Sequence, residues 1–306
     1  MLDICKIKRI IFNKQIRFNY LTKLGLYNSM SDEQFLKKQW KIFFNTELNL
    51  KSPKTFNEKL QWLKINDRKE IYTKMVDKYE AKNYVADVIG KEYIIPTIGI
   101  YNKLSDIDLS KLPDKFVMKC THDSGGLIIC KDKKQLNFNK EKKKIAKRLK
   151  RNFYYSGREW PYKNVRPRII VEEYMEESDK KELKDYKLFC FNGIPQIVLV
   201  CSERYSSENM CETWFDMNWN LIDVVESGHR IDTTISQPKK FKEMIALSKK
   251  LSKGIPFIRV DWYEIKGKLY FGELTFYPAS GFEKFEPEEW NYILGKWLQL
   301  PNKCKE

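Results

Sequence analysis

Apolar residues recur at intervals of three and four through much of the first quarter of the chain. Residues 32–40 and 55–63 show this spacing, which is typical of a helix with one buried face. Each segment opens with a capping residue, Ser31 or Thr55, which is followed three positions later by glutamine or glutamate. The pattern predicts a helical region over residues 1–76.

Short apolar runs separated by turn signals dominate the chain from residue 115 onward. The predicted elements there are strands at 116–120, 127–130, 168–175, 186–191 and 197–201, hairpins at 214–225 and 257–276, and a helix at 241–253. Before them, residues 77–90 predict a further helix that stops at Gly90. Hairpins flanked by helices predict an α+β fold with antiparallel strands covered by helices.

The composition is that of a folded protein of the cell interior. Of the 306 residues, 42% are hydrophobic and 14% aromatic, so the chain can bury a substantial core. The longest apolar run, residues 194–201, is far shorter than the roughly 20 residues of a membrane-spanning helix. Polar residues interrupt the first thirty positions, where a signal peptide would need an apolar core. We therefore expect a cytoplasmic protein.

The net charge of +16 indicates an anionic partner. Nucleic acid, an anionic membrane face and polyanionic small molecules or polymers all fit this charge. The densest basic run, residues 140–151, has Ile145 and Leu149 at helical spacing, so a solvated helix with a basic outer face also explains it. No nucleic-acid-binding motif accompanies the run, and we expect no nucleic-acid partner.

Cysteine and histidine are used in a way that disfavours several enzyme classes. The seven cysteines form no CxxC pair, which indicates reduced thiols in a reducing compartment. The only histidines are His122 and His229, too few for a histidine-rich zinc site or an easily built serine-hydrolase triad.

The first candidate constellation lies in the predicted hairpin at 257–276. If residues 266–268 form a three-residue turn, Asp261 lies opposite Glu273 and Arg259 opposite Thr275. Side chains alternate along a strand, so all four would lie on one face. The same register pairs Ile265 with Leu269 and Tyr263 with Phe271.

Two opposed carboxylates, with Cβ atoms about 5 Å apart, repel each other unless a cation lies between them. Paired oxygen ligands suit Mg²⁺. In the alternative, the register differs by one residue, the carboxylates separate and Arg259 simply pairs with Asp261. The pattern alone leaves both open.

The second constellation is the segment 116–126, which reads FVMKCTHDSGG. Lys119 interrupts an apolar strand, where burial is costly unless the ammonium meets an anion. The turn of Ser124, Gly125 and Gly126 exposes backbone N–H groups that can hold phosphate oxygens. An edge strand with an outward lysine and an ordinary hairpin is the alternative.

The third constellation combines residues 168–175, RIIVEEYM, with residues 185–189, DYKLF. An apolar strand ending in acidic and aromatic residues can be a hinge whose backbone groups bind a nucleobase, with a carboxylate for ribose. A half-buried edge strand is the alternative.

The order of these three constellations is more specific than any one of them, and it resembles the ATP-grasp superfamily. The sequence is most similar to the TupA-like ATP-grasp proteins of bacterial surface-polysaccharide and teichuronopeptide clusters. The landmarks cover about residues 52–285 and are SPKTFNEKLQWL at 52–63, DKY at 77–79, IP at 95–96, FVMKCTHDSGG at 116–126 and FGELTF at 271–276.

The resemblance implies two α+β lobes, over 77–175 and 176–306, that hold ATP between them after the helical region. It assigns phosphate contacts to Lys78, Lys119, Ser124, Gly125 and Gly126. His122, in the same loop, would contact phosphate or stabilise the loop. It assigns adenine to a hinge of Glu172, Glu173, Tyr174 and Met175, ribose to Asp185, and a further phosphate contact to Lys187.

The resemblance also implies a magnesium site and a catalytic pair. Asp261 and Glu273 would hold Mg²⁺, with Thr275 as a further ligand, and Arg259 and Lys119 would steady the transferring phosphoryl group. Many ATP-grasp enzymes have asparagine where this chain has Thr275, whose hydroxyl can ligate Mg²⁺ but is on a shorter side chain. The usual amino-terminal α/β lobe is also replaced here by a helical region, so acceptor recognition must be built differently.

The implied function is an ATP- and Mg²⁺-dependent ligase that activates a carboxylate as an acyl phosphate and joins it to an amine. The expected substrates are small-molecule carboxylates and amines, including an acidic saccharide or lipid-linked glycan, with peripheral contact to an anionic membrane face. One alternative is a glycosyltransferase or sugar kinase of the same polysaccharide pathway, although no Asp-x-Asp motif for a nucleotide sugar occurs. A basic module that binds an acidic polymer is the other alternative.

Overall fold

The computed structural model describes residues 4–177, 183–202, 210–226 and 229–302. The α-helices in these ranges are α1 (Ile4–Phe12), α2 (Lys14–Lys23), α3 (Asp32–Phe44), α4 (Phe56–Asn66), α5 (Glu70–Val76), α6 (Glu80–Ile89), α7 (Phe138–Leu149), α8 (Tyr154–Gly157), α9 (Phe241–Leu251) and α10 (Glu289–Trp297). The strands are β1 (Thr97–Tyr101), β2 (Phe116–Cys120), β3 (Leu127–Cys130), β4 (Ile169–Glu173), β5 (Asp185–Phe191), β6 (Ile194–Ser202), β7 (Cys211–Asp216), β8 (Val225–Glu226), β9 (Phe257–Ile265), β10 (Lys268–Thr275) and β11 (Phe285–Glu286).

The amino-terminal helices begin where the capping signals predict. The Ser31 hydroxyl accepts the N–H of Gln34 at the start of α3, at 3.3 Å. At the start of α4, Thr55 and Glu58 form a reciprocal capping box, which satisfies two N–H groups that the helix leaves unpaired. The predicted helix at 77–90 begins only at Glu80, because the Asp77 carboxylate accepts the N–H groups that follow it.

One antiparallel sheet has the strand order β1-β4-β2-β3. Its core contains Phe116, Met118 and Ile169, and α7 packs against it through the fully buried Ile145. The basic run of the sequence is therefore a helix with an apolar side on the sheet and a charged side facing outward.

A second antiparallel sheet has the order β10-β9-β5-β6-β7. Its strands bury large aromatic side chains, including Phe189, Trp214 and Trp262, and α9 covers them with Leu247. The Trp262 indole N–H donates to the Ser248 hydroxyl of α9 at 2.8 Å, so the one polar group of that ring is satisfied. The two sheets and their helices confirm the predicted α+β class.

The predicted hairpin at 214–225 forms only next to its turn. Phe215 and Leu221 make an antiparallel bridge, in which the Ile222 N–H donates to the Trp214 carbonyl oxygen and the Asp216 N–H to the Asn220 carbonyl oxygen, both at 2.9 Å. The Asp216 carboxylate accepts the N–H groups of Asn218 and Asn220, both at 2.8 Å, which stabilises the turn. Residues 225–226 pair with β11 instead.

Helix α4 is tied to the turn that follows β10. The fully buried Lys64 ammonium donates to the carbonyl oxygens of Gly157 and Ser280, both at 2.8 Å. The Gln61 amide donates to the Gly281 carbonyl oxygen, also at 2.8 Å. These bonds fix the helical region against the end of the second sheet, a few residues from Thr275. Among the helices within the described ranges, none is both long enough and apolar enough to cross a membrane.

Candidate active site

A cavity opens between the two sheets, and most of the predicted site residues line it. Those that line it are Lys78, Lys119, Ser124, Gly125, Gly126, Glu172, Asp185, Lys187, Asp261 and Glu273. They come from the loop before α6, from β2, β4 and the glycine turn of the first sheet, and from β5, β9 and β10 of the second. The cavity thus joins residues that are up to 195 positions apart in the sequence.

The predicted register of the β9–β10 hairpin is wrong at its tip and right at its base. Lys266 and Gly267 have φ of 51° and 73° and form a two-residue turn, so Ile265 pairs with Lys268 and not with Leu269. The register then shifts between Phe271 and Leu274, which brings Thr275 opposite Arg259 as predicted.

The register shift is a bulge at Gly272, where two residues of β10 oppose Asp261. A Cβ atom at position 272 would lie 3.1 Å from the Asp261 carbonyl oxygen, so glycine permits the close approach. The bulge turns the Glu273 side chain toward Asp261, and both carboxylates line the cavity.

Arg259 joins the acidic residues of the hairpin. Its Nε and Nη2 donate to the two oxygens of Asp261 at 2.7 and 2.6 Å, a bidentate pair. Nη2 also donates to Glu273 Oε1 and Thr275 Oγ1, both at 3.1 Å. The Thr275 hydroxyl donates to Glu273 Oε1 at 3.2 Å. Arg259 and Thr275 do not line the cavity themselves but contact the carboxylates that do.

A second cation reaches Asp261 from β5. The Lys187 ammonium lies 2.8 Å from Asp185 Oδ2 and 3.2 Å from Asp261 Oδ2. Asp185 and Asp261 are both buried, and a shared cation offsets their repulsion. Burial and the nearby Arg259 lower the pKa of Lys187, but Asp261 and Asp185 raise it by more. The net effect is a raised pKa, so the ammonium is charged at neutral pH.

Glu273 is also held in its charged form. Its enclosed position alone would raise its pKa, but Lys78, Arg259 and Lys187 outweigh this and bring the pKa of Glu273 to about 2. A carboxylate that stays ionised, half-exposed at the cavity wall, is suited to bind a cation.

The residues present fit a magnesium ion. Asp261 and Glu273 each place an oxygen within 3.1 Å of the same Arg259 nitrogen, so the two carboxylates are close enough together to share one cation. Carboxylate and hydroxyl oxygens are hard ligands, which Mg²⁺ prefers. Across the described ranges no three histidine, cysteine, aspartate or glutamate side chains cluster as a metal site, so the remaining ligands would have to come from a bound phosphate and water.

In the first sheet, Glu172 forms a buried ion-pair network with two lysines. Its carboxylate pairs with Lys119 at 2.6 Å and with Lys82. Burial would raise the pKa of Glu172, but the two ammonium groups lower it below its ordinary value. Glu172 therefore lines the cavity as the ion-pair partner of Lys119, and it is also the first residue of the predicted hinge.

Sequence reasoning missed Lys82. Its ammonium also donates to the Ile95 carbonyl oxygen at 2.7 Å and to Thr97 Oγ1 at 3.0 Å, so its three N–H groups are committed. An isolated lysine on a helix gives no such signal, because Lys82 meets Glu172 only after β4 folds against α6.

Polar side chains hold the residues just before the glycine turn, Asp123 and His122, both of which are buried. Lys78 donates to the Asp123 carbonyl oxygen at 3.1 Å, and Arg148 of α7 donates to the Asp123 carboxylate at 3.2 Å. His122 is buried, and its Nε2 lies 3.2 Å from the Arg148 carbonyl oxygen. Burial lowers the pKa of His122. His122 is not among the residues that line the cavity, which favours a loop-stabilising role over phosphate contact.

The remaining hinge positions lie at the end of β4, outside the residues that line the cavity. The Glu173 N–H donates to the Pro96 carbonyl oxygen at 3.1 Å, so that group is already used. Tyr174 and Met175 are half-buried and follow the strand. The Lys115 ammonium lies over the Tyr174 ring, 5.9 Å from its centre.

Replacing Gly126 by alanine is expected to destabilise the protein by about 1–3 kcal/mol. The added Cβ would lie 2.5 Å from Cys120 Sγ and 2.9 Å from Cys120 Cβ, so the turn or β2 must move. Urea unfolding measures the effect, with Ser124→Ala as the control in the same turn. A Gly126→Ala protein as stable as the control would show that the turn has more room than the structure gives it.

Comparison with known proteins gives one family. A family model described as "TupA-like ATPgrasp" matches residues 58–299. No match was found among curated proteins.

Solved structures similar to this chain include two D-alanine–D-alanine ligases. The Bacillus anthracis enzyme complexed with ATP is 18% identical with a TM-score of 0.38, over 66% of this chain and 53% of that chain. The Helicobacter pylori enzyme is 16% identical with a TM-score of 0.41, over 74% and 61%. The ATP-grasp ligase PsnB, complexed with a precursor variant, Mg and ADP, is 8% identical with a TM-score of 0.39, over 67% and 51%. This chain spans about half to three-fifths of the length of these proteins.

Proposed function

Because the chain belongs to the TupA-like ATP-grasp family, we propose that it is an ATP-dependent ligase that joins a carboxylate to an amine. The observation that carries the proposal is the cavity itself. Lys78, from the loop before α6, and Lys119, from the first sheet, line the same cavity as Lys187 and the acidic pair Asp261 and Glu273 of the second sheet. Such a set can bind a triphosphate and a divalent cation together.

In this proposal the triphosphate lies between the sheets. Lys78 and Lys119 each have one acceptor among the described residues, Asp123 O and Glu172 respectively, and an ammonium has three N–H groups. Both lysines therefore keep N–H groups for phosphate oxygens. The backbone of Ser124, Gly125 and Gly126 would close over them.

The rest of the nucleotide would extend from the cavity to the end of β4. Adenine would lie at the hinge of Glu172, Glu173, Tyr174 and Met175, with the Glu173 N–H excluded as a donor because Pro96 already accepts it. Asp185 would face the ribose, and Lys187 the phosphates.

Asp261 and Glu273 would hold Mg²⁺, with Thr275 as a further oxygen. The ion, when bound, supplies charge neutralisation to the transferring phosphoryl group. Arg259 orients both carboxylates and adds a fixed positive charge behind them.

The proposed reaction has two steps. In the first step, a substrate carboxylate oxygen attacks the γ-phosphorus of ATP, and the bond from that phosphorus to the β-phosphate oxygen breaks. The products of this step are an acyl phosphate and ADP. An amine then attacks the acyl carbon, phosphate departs, and the amine loses a proton as the amide forms. Neutralising and positioning the phosphoryl group supplies most of the catalysis, so the scarcity of histidine is no obstacle.

The acceptor in this proposal is a sugar acid or peptide of cell-surface polysaccharide synthesis. The support is the resemblance of the sequence to the TupA-like proteins of surface-polysaccharide clusters, together with the net charge of +16, which attracts acidic substrates.

Continuous ADP production over many turnovers is expected only when ATP, Mg²⁺, a carboxylate and an amine are all present. The test is coupled ADP detection with the purified protein against a panel of uronic acids, acidic peptides and amines, in which each component is omitted in turn. Amide formation is checked by mass spectrometry of the product.

Two outcomes would overturn the proposal. One is protection from heat by a UDP-sugar but not by Mg-ATP, which favours a glycosyltransferase. The other is ADP release with a neutral sugar and no amine, which favours a sugar kinase.

A further inference from the structure

A second concave surface, which we call the basic groove, lies between the amino-terminal helices and α7. Its lining includes Arg9 of α1, Lys23 of α2, Lys147 of α7 and Lys150, and no acidic side chain among the described lining residues. These four side chains are exposed, and none makes an ion pair with the described part of the chain. Uncompensated cations on both walls raise the local positive potential and attract a multiply charged anion.

The basic groove is contiguous with the loop that closes the active-site cavity. Arg148 lines the groove, and its guanidinium donates to the carboxylate of Asp123, which lines the active-site cavity. Lys144, also in the groove, donates to the carbonyl oxygen of Leu127, another residue of that cavity. The two cavities therefore share a wall, in which Arg148 and Lys144 of the groove contact Asp123 and Leu127 of the active site.

The shape of the basic groove favours an elongated ligand. Its volume of about 1080 Å³ is at the upper end of small-molecule sites, which hold roughly 300–1,000 Å³. Lys144 and Lys147 lie one turn apart on α7, and Lys150 and Arg151 add cations beyond the end of that helix. Ile16 and Tyr20 of α2 add apolar surface between the charges. A lone phosphate would use one or two of these cations and leave the remainder unmatched.

We propose that the basic groove binds an extended, carboxylate-bearing chain, and that this chain is the acceptor whose end enters the active site beside Asp123. This inference rests on the proposed ligase function and names its substrate class. It also gives the helical region 4–23 and α7 a shared role, because each supplies one wall.

An anionic membrane is the rival occupant. Phe12 and Ile11, 82% and 54% exposed, are apolar residues that a bilayer could receive. The cations, however, lie on the two walls of a concavity, where a flat bilayer surface meets fewer of them than a chain that enters the groove. The groove also adjoins Asp123, which lines the active-site cavity, and this position favours a substrate over a membrane as the occupant.

The test is fluorescence anisotropy with labelled oligogalacturonate of about ten sugars, which carries one carboxylate per sugar. Two charge-reversal variants change opposite walls: Lys147→Glu with Lys150→Glu, and Arg9→Glu with Lys23→Glu. The matched control is Lys140→Glu with Lys143→Glu, exposed residues of α7 outside the basic groove. All three variants change the net charge equally, so a general electrostatic effect lowers affinity equally in each.

We expect each groove variant to raise the dissociation constant at least about tenfold, and the control to change it less than about threefold. Mg-ATP binding, followed by thermal shift, is expected to stay at the wild-type level in all three. The two walls are tested separately, so misfolding of one variant does not remove the test.

Four outcomes would overturn the inference. Equal loss in groove and control variants would show attraction without a site. Tighter binding to phosphatidylglycerol vesicles than to the oligomer, abolished by the groove variants, would make the surface a membrane contact. If both groove variants bind the oligomer as the wild type does, the groove is not the acceptor site. The ligase proposal would still stand if Mg-ATP binding is normal and amide formation depends on Glu273. If instead the wild-type protein binds the oligomer in the groove but never binds Mg-ATP, the proposed function fails, and with it the assignment of the oligomer as acceptor.

Discussion

Replacing Glu273 by glutamine is expected to reduce amide formation by roughly a hundred- to a thousandfold, while the protein stays folded. The change keeps the shape of the side chain and removes the charge that Lys78, Arg259 and Lys187 maintain. Because Glu273 is half-exposed, the variant leaves no fully buried charge without a partner. An amide oxygen is a weaker ligand for Mg²⁺ than a carboxylate.

The matched control is Glu264→Gln, on the same hairpin. Glu264 accepts the N–H of Lys240, which the glutamine oxygen can also do, and it does not line the active-site cavity. Steady-state kinetics at several Mg²⁺ concentrations measures both variants. Since the variant weakens the metal site, part of its activity should return at high Mg²⁺. A Glu273→Gln enzyme with normal turnover at low Mg²⁺ would remove this residue from the metal site.

Lys119 and Lys82 share the Glu172 carboxylate, but replacing each of them by methionine is expected to have different effects. The first change should mainly weaken ATP binding, and the second should mainly lower the free energy of unfolding. Lys119→Met should weaken ATP binding by about tenfold to a hundredfold, the equivalent of the roughly 1.5–3 kcal/mol of a hydrogen bond to a charged group. Its effect on the free energy of unfolding should be about 1 kcal/mol, because Glu172 keeps Lys82 as a partner.

Lys82→Met should do the opposite. The Ile95 carbonyl oxygen and Thr97 hydroxyl lose their donor, which should cost about 3 kcal/mol of unfolding free energy, with ATP affinity within about threefold of wild type. Urea unfolding and calorimetric titration with Mg-ATP measure the two quantities for each variant. Equal losses of affinity in both would contradict the separate roles and make Glu172 the only determinant of the network.

The sequence predicted the elements of the fold better than their contacts. Caps and periodicity located α3, α4 and most strands, because these signals are local. The 214–225 hairpin was predicted too long, because residues 225–226 pair with β11, a contact between distant segments that alternation does not reveal.

For the site, the sequence predicted that Arg259, Asp261, Glu273 and Thr275 converge, but not how. The two-residue turn would have moved Glu273 out of register with Asp261, and the bulge at Gly272 reverses that shift. A glycine within a strand is a signal for a bulge, which sequence reasoning could have used here. Lys82 and Arg148 could not have been found in this way, because each acts across elements distant in the sequence.

The bonds that Lys64 and Gln61 make to residues 157, 280 and 281 have a practical consequence. A minimal catalytic fragment could be designed to start after α4, the helix that makes these bonds. Such a cut would strip three carbonyl groups of their donors beside the last strand of the hairpin. The leading helices are thus part of the scaffold that holds the hairpin's end, and a truncated protein would lose its geometry there before it lost any residue of the cavity.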